Sequence, residues 1–174
     1  MRAFKYIAFL AAGLLAVSCI SSDDEPNEEY VAVGDKLPVF QAKGPNEAVY
    51  NSADASGKVT LICLFNTTCP DCHRELPKVQ YVWDQLAAHE SFEVVCVGRE
   101  RTLAEIATFW SGQGFTMPYY EDPQRAVYKL FATSVIPRLY LADRAGVVRE
   151  MWVEETNLTP DQLLSVVKGY VETP

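Results

Sequence analysis

Val59-Thr60-Leu61-Ile62-Cys63-Leu64-Phe65 is a nearly unbroken apolar run, and it leads directly into Cys69-Pro70-Asp71-Cys72. A run of that kind suits a strand buried on both faces, the central strand of a sheet that helices cover. Beyond it Leu76, Val79, Trp83 and Leu86 recur at helical spacing and predict a helix from about Pro70 to His89 with one buried stripe. The two cysteines therefore stand between a buried strand and the first turn of an amphipathic helix.

The rest of the chain keeps alternating between the two periods. Phe92 to Val97 reads as a strand closed by Gly98, and Leu103, Ile106, Ala107 and Trp110 mark a second helix ending near Ser111-Gly112. A third, short helix is expected from Pro123 to Phe131, with the proline in its first turn. Ile136–Leu141 and Val147–Trp152 flank the turn residues Asp143 and Gly146, an antiparallel hairpin. Thr159 and Pro160 then start a last helix carrying Leu163, Leu164 and Val167. This order gives the α/β class with a mostly parallel sheet, one domain and no internal repeat. At 174 residues the chain can bury one sizeable core and has little room for a second.

The net charge of −8 makes nucleic acid an unsuitable partner, because phosphate binding needs a concentrated basic surface. It also fits poorly with peripheral attachment to anionic lipid. Membrane contact is expected to be covalent instead. Arg2 and Lys5 precede an apolar, small-residue stretch from Tyr6 to Val17, too short to span a bilayer comfortably and suited to a secretory signal. It ends in Leu15-Ala16-Val17-Ser18-Cys19, which resembles a bacterial lipoprotein box, although Ala16 stands where Leu is commonest. That resemblance implies removal of residues 1–18 and acylation of Cys19, leaving 13 basic residues against 23 acidic ones. An ordinary signal peptide containing a cysteine is the plainer alternative. Residues 19–32 are acidic and aperiodic, a tether ahead of a domain spanning 33–174. Ser21-Ser22-Asp23-Asp24 within it also resembles a surface-export signal of some Gram-negative lipoproteins. The expected location is extracytoplasmic, on the periplasmic side of a bacterial membrane or at the cell surface.

The five cysteines fall into three kinds. Cys19 is the lipidation candidate, and Cys63 and Cys96 lie inside apolar strands, where cysteine behaves as a small buried hydrophobe. Cys69 and Cys72 are placed for chemistry. The thiolate is the nucleophile in disulfide exchange, and unpaired N–H groups at a helix start favour the anion. Cys69 would then attack, and Cys72, about one turn away, would resolve the mixed disulfide. A purely structural bridge of so short a ring would add little loop-closure stabilisation.

In order and spacing the chain resembles the thioredoxin superfamily, most closely its membrane-tethered TlpA and ResA group. The likeness rests on Val33–Phe40 as lead-in, Gly57-Lys58 before the central strand, Cys69–Pro77 as active-site run, and Ile136-Pro137 before a late strand. It implies a thioredoxin-like fold, a central mixed sheet flanked by helices, and thiol–disulfide exchange without a cofactor beyond the Cys69–Cys72 disulfide. By the same resemblance Pro137 is a cis proline facing the cysteines, and the Ile136 backbone pairs with an extended substrate. Pro70 and Asp71 would touch that substrate. Glu75 would tune the thiols or move protons, its plainer reading being a solvated helix-face carboxylate. Protein thiols and disulfides would be the substrates, with a membrane or periplasmic thiol as electron donor. Reduction of exported proteins is the more typical task of the group.

The chain also departs from the pattern. Thr67 and Thr68 precede Cys69 where an aromatic residue is common, and Cys63 occupies the position of a buried Asp or Asn. Asp71 should disfavour a nearby thiolate while a protonated His73 would favour it, so the direction of the balance stays open. Other readings of the same residues remain. Cys69-Pro70-Asp71-Cys72-His73 matches the c-type haem attachment pattern, but Met117, Met151 and His89 form no recognisable second-ligand motif. Zinc is weaker, since the remaining ligand candidates are two strand cysteines and His89. A peroxiredoxin would want Pro and Thr where Ile62 and Asn66 stand. A binding module would keep the fold with the cysteine pair idle.

Overall fold

The computed structural model describes residues 26–154 and 156–173. The expected signal peptide and lipidation site at Cys19 lie outside the described residues. Strands β1 (Gln41–Lys43), β2 (Val49–Asn51), β3 (Val59–Phe65), β4 (Phe92–Arg99), β5 (Tyr119–Asp122), β6 (Arg138–Ala142) and β7 (Val148–Val153) form one sheet in the order β2-β1-β5-β4-β3-β6-β7. Helices α1 (Pro70–Leu86), α2 (Leu103–Gln113) and α3 (Pro160–Glu172) complete the framework. The fold is thioredoxin-like.

β3 is central and pairs in parallel with β4 on one side and antiparallel with β6 on the other. Its residues alternate between two cores, as a strand period of two requires. Val59, Leu61, Cys63 and Phe65 join the buried residues of α1, α2 and α3. Ile62 and Leu64 face Phe40, Tyr50, Tyr128, Phe131 and Tyr140 on the opposite side. Parallel pairing with β4 carries the chain across the sheet through α1, so the β3–α1 junction falls at the carboxyl end of the central strands. In open α/β sheets this is where ligands bind.

The expected hairpin is present, β6 pairing antiparallel with β7 with a register shift at Leu141/Ala142. The third helix is not. Residues 123–131 form turns and only a short 3-10 segment, Tyr128–Leu130. Arg125 takes a left-handed φ of 59°. The buried Asp122 carboxylate accepts hydrogen bonds from the backbone N–H of Val127 (3.1 Å) and Tyr128 (2.8 Å). A side chain that satisfies those donors locally replaces the helical ladder.

The last residues of the expected tether are docked. Glu29 forms a bridge with Ala132, and Val31 is buried. The Tyr30 N–H donates to the Phe131 carbonyl at 2.9 Å. Residues 26–31 thus make a strap across the segment that leads into β6.

Candidate functional site: a dithiol at the start of a helix

Cys69 is the N-cap of α1, with φ −84° and ψ 119°, and Pro70 occupies the first turn, where a missing N–H costs no helical bond. The Cys69 Sγ accepts from the backbone N–H of Cys72 at 3.4 Å and faces the Ile136 carbonyl at 3.7 Å. Both cysteines are present as thiols. Cys69 is half-buried, whereas Cys72 is sealed in the core beneath it, its Sγ 3.5 Å from the backbone N of Asn66.

These positions separate the two thiols chemically. The hydrogen bond from the Cys72 thiol, reinforced by backbone N–H groups of Cys72 and Asp71, outweighs partial burial and holds Cys69 down at about 6. Asp71 pushes the other way as the smallest contribution, its carboxylate being paired with Arg74. Burial, and then the hydrogen bond to Cys69, push Cys72 far above the usual thiol range. At neutral pH the pair therefore holds one half-buried nucleophile at the surface and one buried, protonated partner. The His73 ring is turned to the Thr67 carbonyl at 2.7 Å and stacks on Phe109.

A cavity of about 420 Å³ opens beside Cys69. Thr68 and Pro70 line it on the helix side, Arg99 and Arg101 from the end of β4, and Val135 and Ile136 from the loop before β6. The Ile136–Pro137 peptide bond is cis. Of the residues singled out from sequence, Cys69, Pro70 and Ile136 meet at this opening, and buried Pro137 sits behind Ile136.

Glu75 lies one turn further along α1 and is fully buried, which corrects the solvated-carboxylate alternative. Its carboxylate accepts from the Thr156 hydroxyl (3.0 Å), the Thr156 N–H (3.1 Å) and Lys78 Nζ (3.0 Å). Cys63 and Cys96 face each other in register across β3 and β4. A hydrogen bond with Cys96, together with complete burial, pushes the Cys63 thiol well up, with Cys72 and Glu75 also acting on it.

Sequence reasoning missed Asn66, Arg101, Lys78 and Thr156. Arg101 Nε donates to Asn66 Oδ1 at 2.9 Å and its Nη2 to Thr68 Oγ1 at 3.0 Å, bracing the turn before Cys69. Lys78 was visible as a cation three residues after Glu75 on one helix face. Thr156 is distant in sequence and carried no such signal.

Residues 33–151 match the AhpC/TSA family model. The chain belongs to the AhpC/TSA family. Its relatives include the thiol-disulfide oxidoreductase ResA of Oceanobacillus iheyensis, 27% identical over 98% of this chain and 85% of that one. The ResA of Bacillus subtilis is 22% identical over 70% of this chain and 67% of that one. Among solved structures, a thiol:disulfide interchange protein of the thioredoxin family from Chlorobium tepidum superposes with TM-score 0.69 at 21% identity, covering 80% of this chain and 98% of that one. StoA from Bacillus subtilis gives 0.60 at 21% identity, covering 74% and 95%. These solved structures share the thioredoxin-like fold seen here.

Proposed function

We propose that this chain is a lipid-anchored, extracytoplasmic thiol–disulfide oxidoreductase that reduces disulfides of exported proteins through Cys69 and Cys72. The observation that carries the reading is the division of labour at the α1 start: Cys69 is held down at about 6 at the mouth of a cavity, while Cys72 is buried and protonated beneath it. The chain's similarity to the ResA thiol-disulfide oxidoreductases supports it.

The Cys69 thiolate attacks one sulfur of a substrate disulfide, forming a mixed disulfide and releasing the other sulfur as a thiolate. The Cys72 thiol passes its proton to the substrate thiolate just released and attacks Cys69 Sγ, which expels the second substrate sulfur as a thiolate and leaves the Cys69–Cys72 disulfide. The substrate gains two electrons and one proton from the pair and takes its second proton from solvent, and an external dithiol donor restores the pair by the reverse exchange. No further cofactor enters. The Ile136 backbone and Pro70, at the opening, hold the extended substrate, with Pro137 shaping the loop; Asp71 is not among the lining residues and is paired with Arg74. Glu75, fully buried and acting electrostatically on the Cys63 thiol, tunes the thiols from within the core.

A thiolate at about 6 lies nearer thioredoxin's value of about 7 than the value of about 3.5 of the oxidant DsbA, which favours the reducing direction. Acylation at Cys19 after removal of residues 1–18 would place the domain outside the cytoplasmic membrane. The sequence pattern at Ser18-Cys19 supports this, and loss of membrane fractionation in Cys19→Ala tests it.

The family also raises peroxidase activity, but Ile62 and Asn66 stand at the positions a peroxidatic lead-in would occupy. Purified protein given dithiothreitol should reduce a protein disulfide, lose that activity in Cys69→Ser and accumulate a mixed disulfide in Cys72→Ser. Peroxide consumption with no disulfide reduction would sink the reading.

A further inference from the structure

Val135, the residue before Ile136, has φ 68°. A β-branched side chain in the left-handed region is a genuine outlier and persists only where its surroundings over-determine it. The surroundings here centre on Arg138, the first residue of β6, which is completely buried. Its Nε donates to the Val135 carbonyl at 2.9 Å, and its Nη2 to the Ser134 carbonyl at 2.6 Å. The buried Tyr128 hydroxyl bonds the same two carbonyls. One guanidinium and one phenol thus fix the turn that presents Ile136 to Cys69.

A buried cation needs a counter-charge, and removing it leaves the charge uncompensated. The docked strap supplies it. Arg138 Nη1 pairs with the Glu29 carboxylate, and Nη2 also donates to Asn27 Oδ1. The strap is tied to the same loop through its backbone: the Glu28 N–H donates to Thr133 Oγ1 at 2.8 Å, and the Thr133 N–H to the Glu28 carbonyl at 3.1 Å. The chain of contacts runs from strap to Arg138, to the carbonyls of Ser134 and Val135, and so to the Ile136 that faces Cys69.

We infer that Glu29 and Asn27, acting through Arg138, are positioning residues for the substrate-pairing loop, so that the segment nearest the proposed membrane anchor sets substrate affinity at the dithiol. The inference rests on the proposed activity and deepens it. It predicts an effect on substrate binding and none on the Cys69 thiolate, whose donors come from the α1 start.

The test uses the full chain and a cysteine peptide capped as its thionitrobenzoate mixed disulfide. Glu29→Ala should raise KM about tenfold with kcat within about twofold, and Glu29→Asp should recover most of the loss. The pH midpoint of Cys69 alkylation by iodoacetamide should stay at the wild-type value, and amide exchange should accelerate at Thr133, whose N–H donates to the Glu28 carbonyl of the strap. Where Glu29→Ala fails to fold, Asn27→Ala, which keeps the ion pair, should show a smaller rise of about threefold. An unchanged KM, or a KM that moves together with the alkylation midpoint, overturns the inference. Wild-type protein that turns over no peptide refutes the proposed activity instead, and the exchange measurement then decides the inference by itself.

Discussion

The hydrogen-bond donors gathered at the first turn of α1 act on Cys69 and leave Cys72 in a dry environment, and the consequence is a pH dependence that can be signed. Cys69 is lowered from an ordinary 9.0 to about 6 in the folded protein. A depressed acid contributes stability that is fully present above its unfolded value and is lost as pH falls through the folded one. The reduced protein should therefore gain stability from about pH 6 to 9 relative to Cys69→Ala, read as denaturation midpoints of both proteins across that range. Alkylation of Cys69 should titrate with a midpoint near 6 and plateau above it, whereas Cys63, Cys72 and Cys96, all buried, should react only on unfolding. Glu75 has a different kind of importance. Replacing it with Ala deprives Lys78 Nζ and the Thr156 N–H of their buried acceptor, and a loss of about 3 kcal/mol in chemical denaturation is expected.

Helix starts in this chain are set by short local signals, and their energetics are correspondingly local. α2 opens on a capping box in which the Thr102 hydroxyl and the Glu105 carboxylate exchange bonds with each other's backbone N–H. Thr102→Ala should cost about 1 kcal/mol in the same assay, with the Cys69 alkylation midpoint unmoved. The same locality explains what the sequence disclosed. β3, α1, β4, α2, the β6–β7 hairpin and α3 were readable because each carries either a continuous apolar run or apolar residues recurring at one period. β1, β2 and β5 were not, since each spans three or four residues and exists through pairing with distant partners such as Lys43 with Glu121. The segment from Pro123 to Phe131 carried helix-like spacing, yet the Asp122 carboxylate took the donors and Arg125 turned left-handed. Within the site, the cysteines, Ile136 and Pro137 were legible from motif order, while the Lys78–Thr156 clamp on Glu75 joins residues that only the fold brings together. The docking of residues 26–31 was hidden for a related reason: an acidic, aperiodic segment reads as solvated until its buried partner, Arg138, is seen.

At the scale of the molecule, a sheet covered on both faces delivers three separate chain segments to one opening: the α1 start, the end of β4 and the loop before β6. The central strand is packed on both sides; the thiols belong to the core on the helix side, and Ile136 packs against both cores. Loop position and thiolate energy can still be tuned separately because their hydrogen bonds differ, the loop carbonyls being held by Arg138 and Tyr128 and the thiolate by donors of α1. The thiolate energy also sets the expected redox poise. A Cys69 thiol at about 6, nearer to thioredoxin's than to DsbA's, places the expected potential on the thioredoxin side of that range. The most direct test is equilibration of the purified protein with glutathione or dithiothreitol redox buffers, following the Cys69–Cys72 pair by thiol labelling. A reversible two-electron couple between about −210 and −270 mV is the predicted result. A value near −120 mV would contradict the reducing direction, and the absence of any reversible couple between these two thiols would contradict the account at its centre.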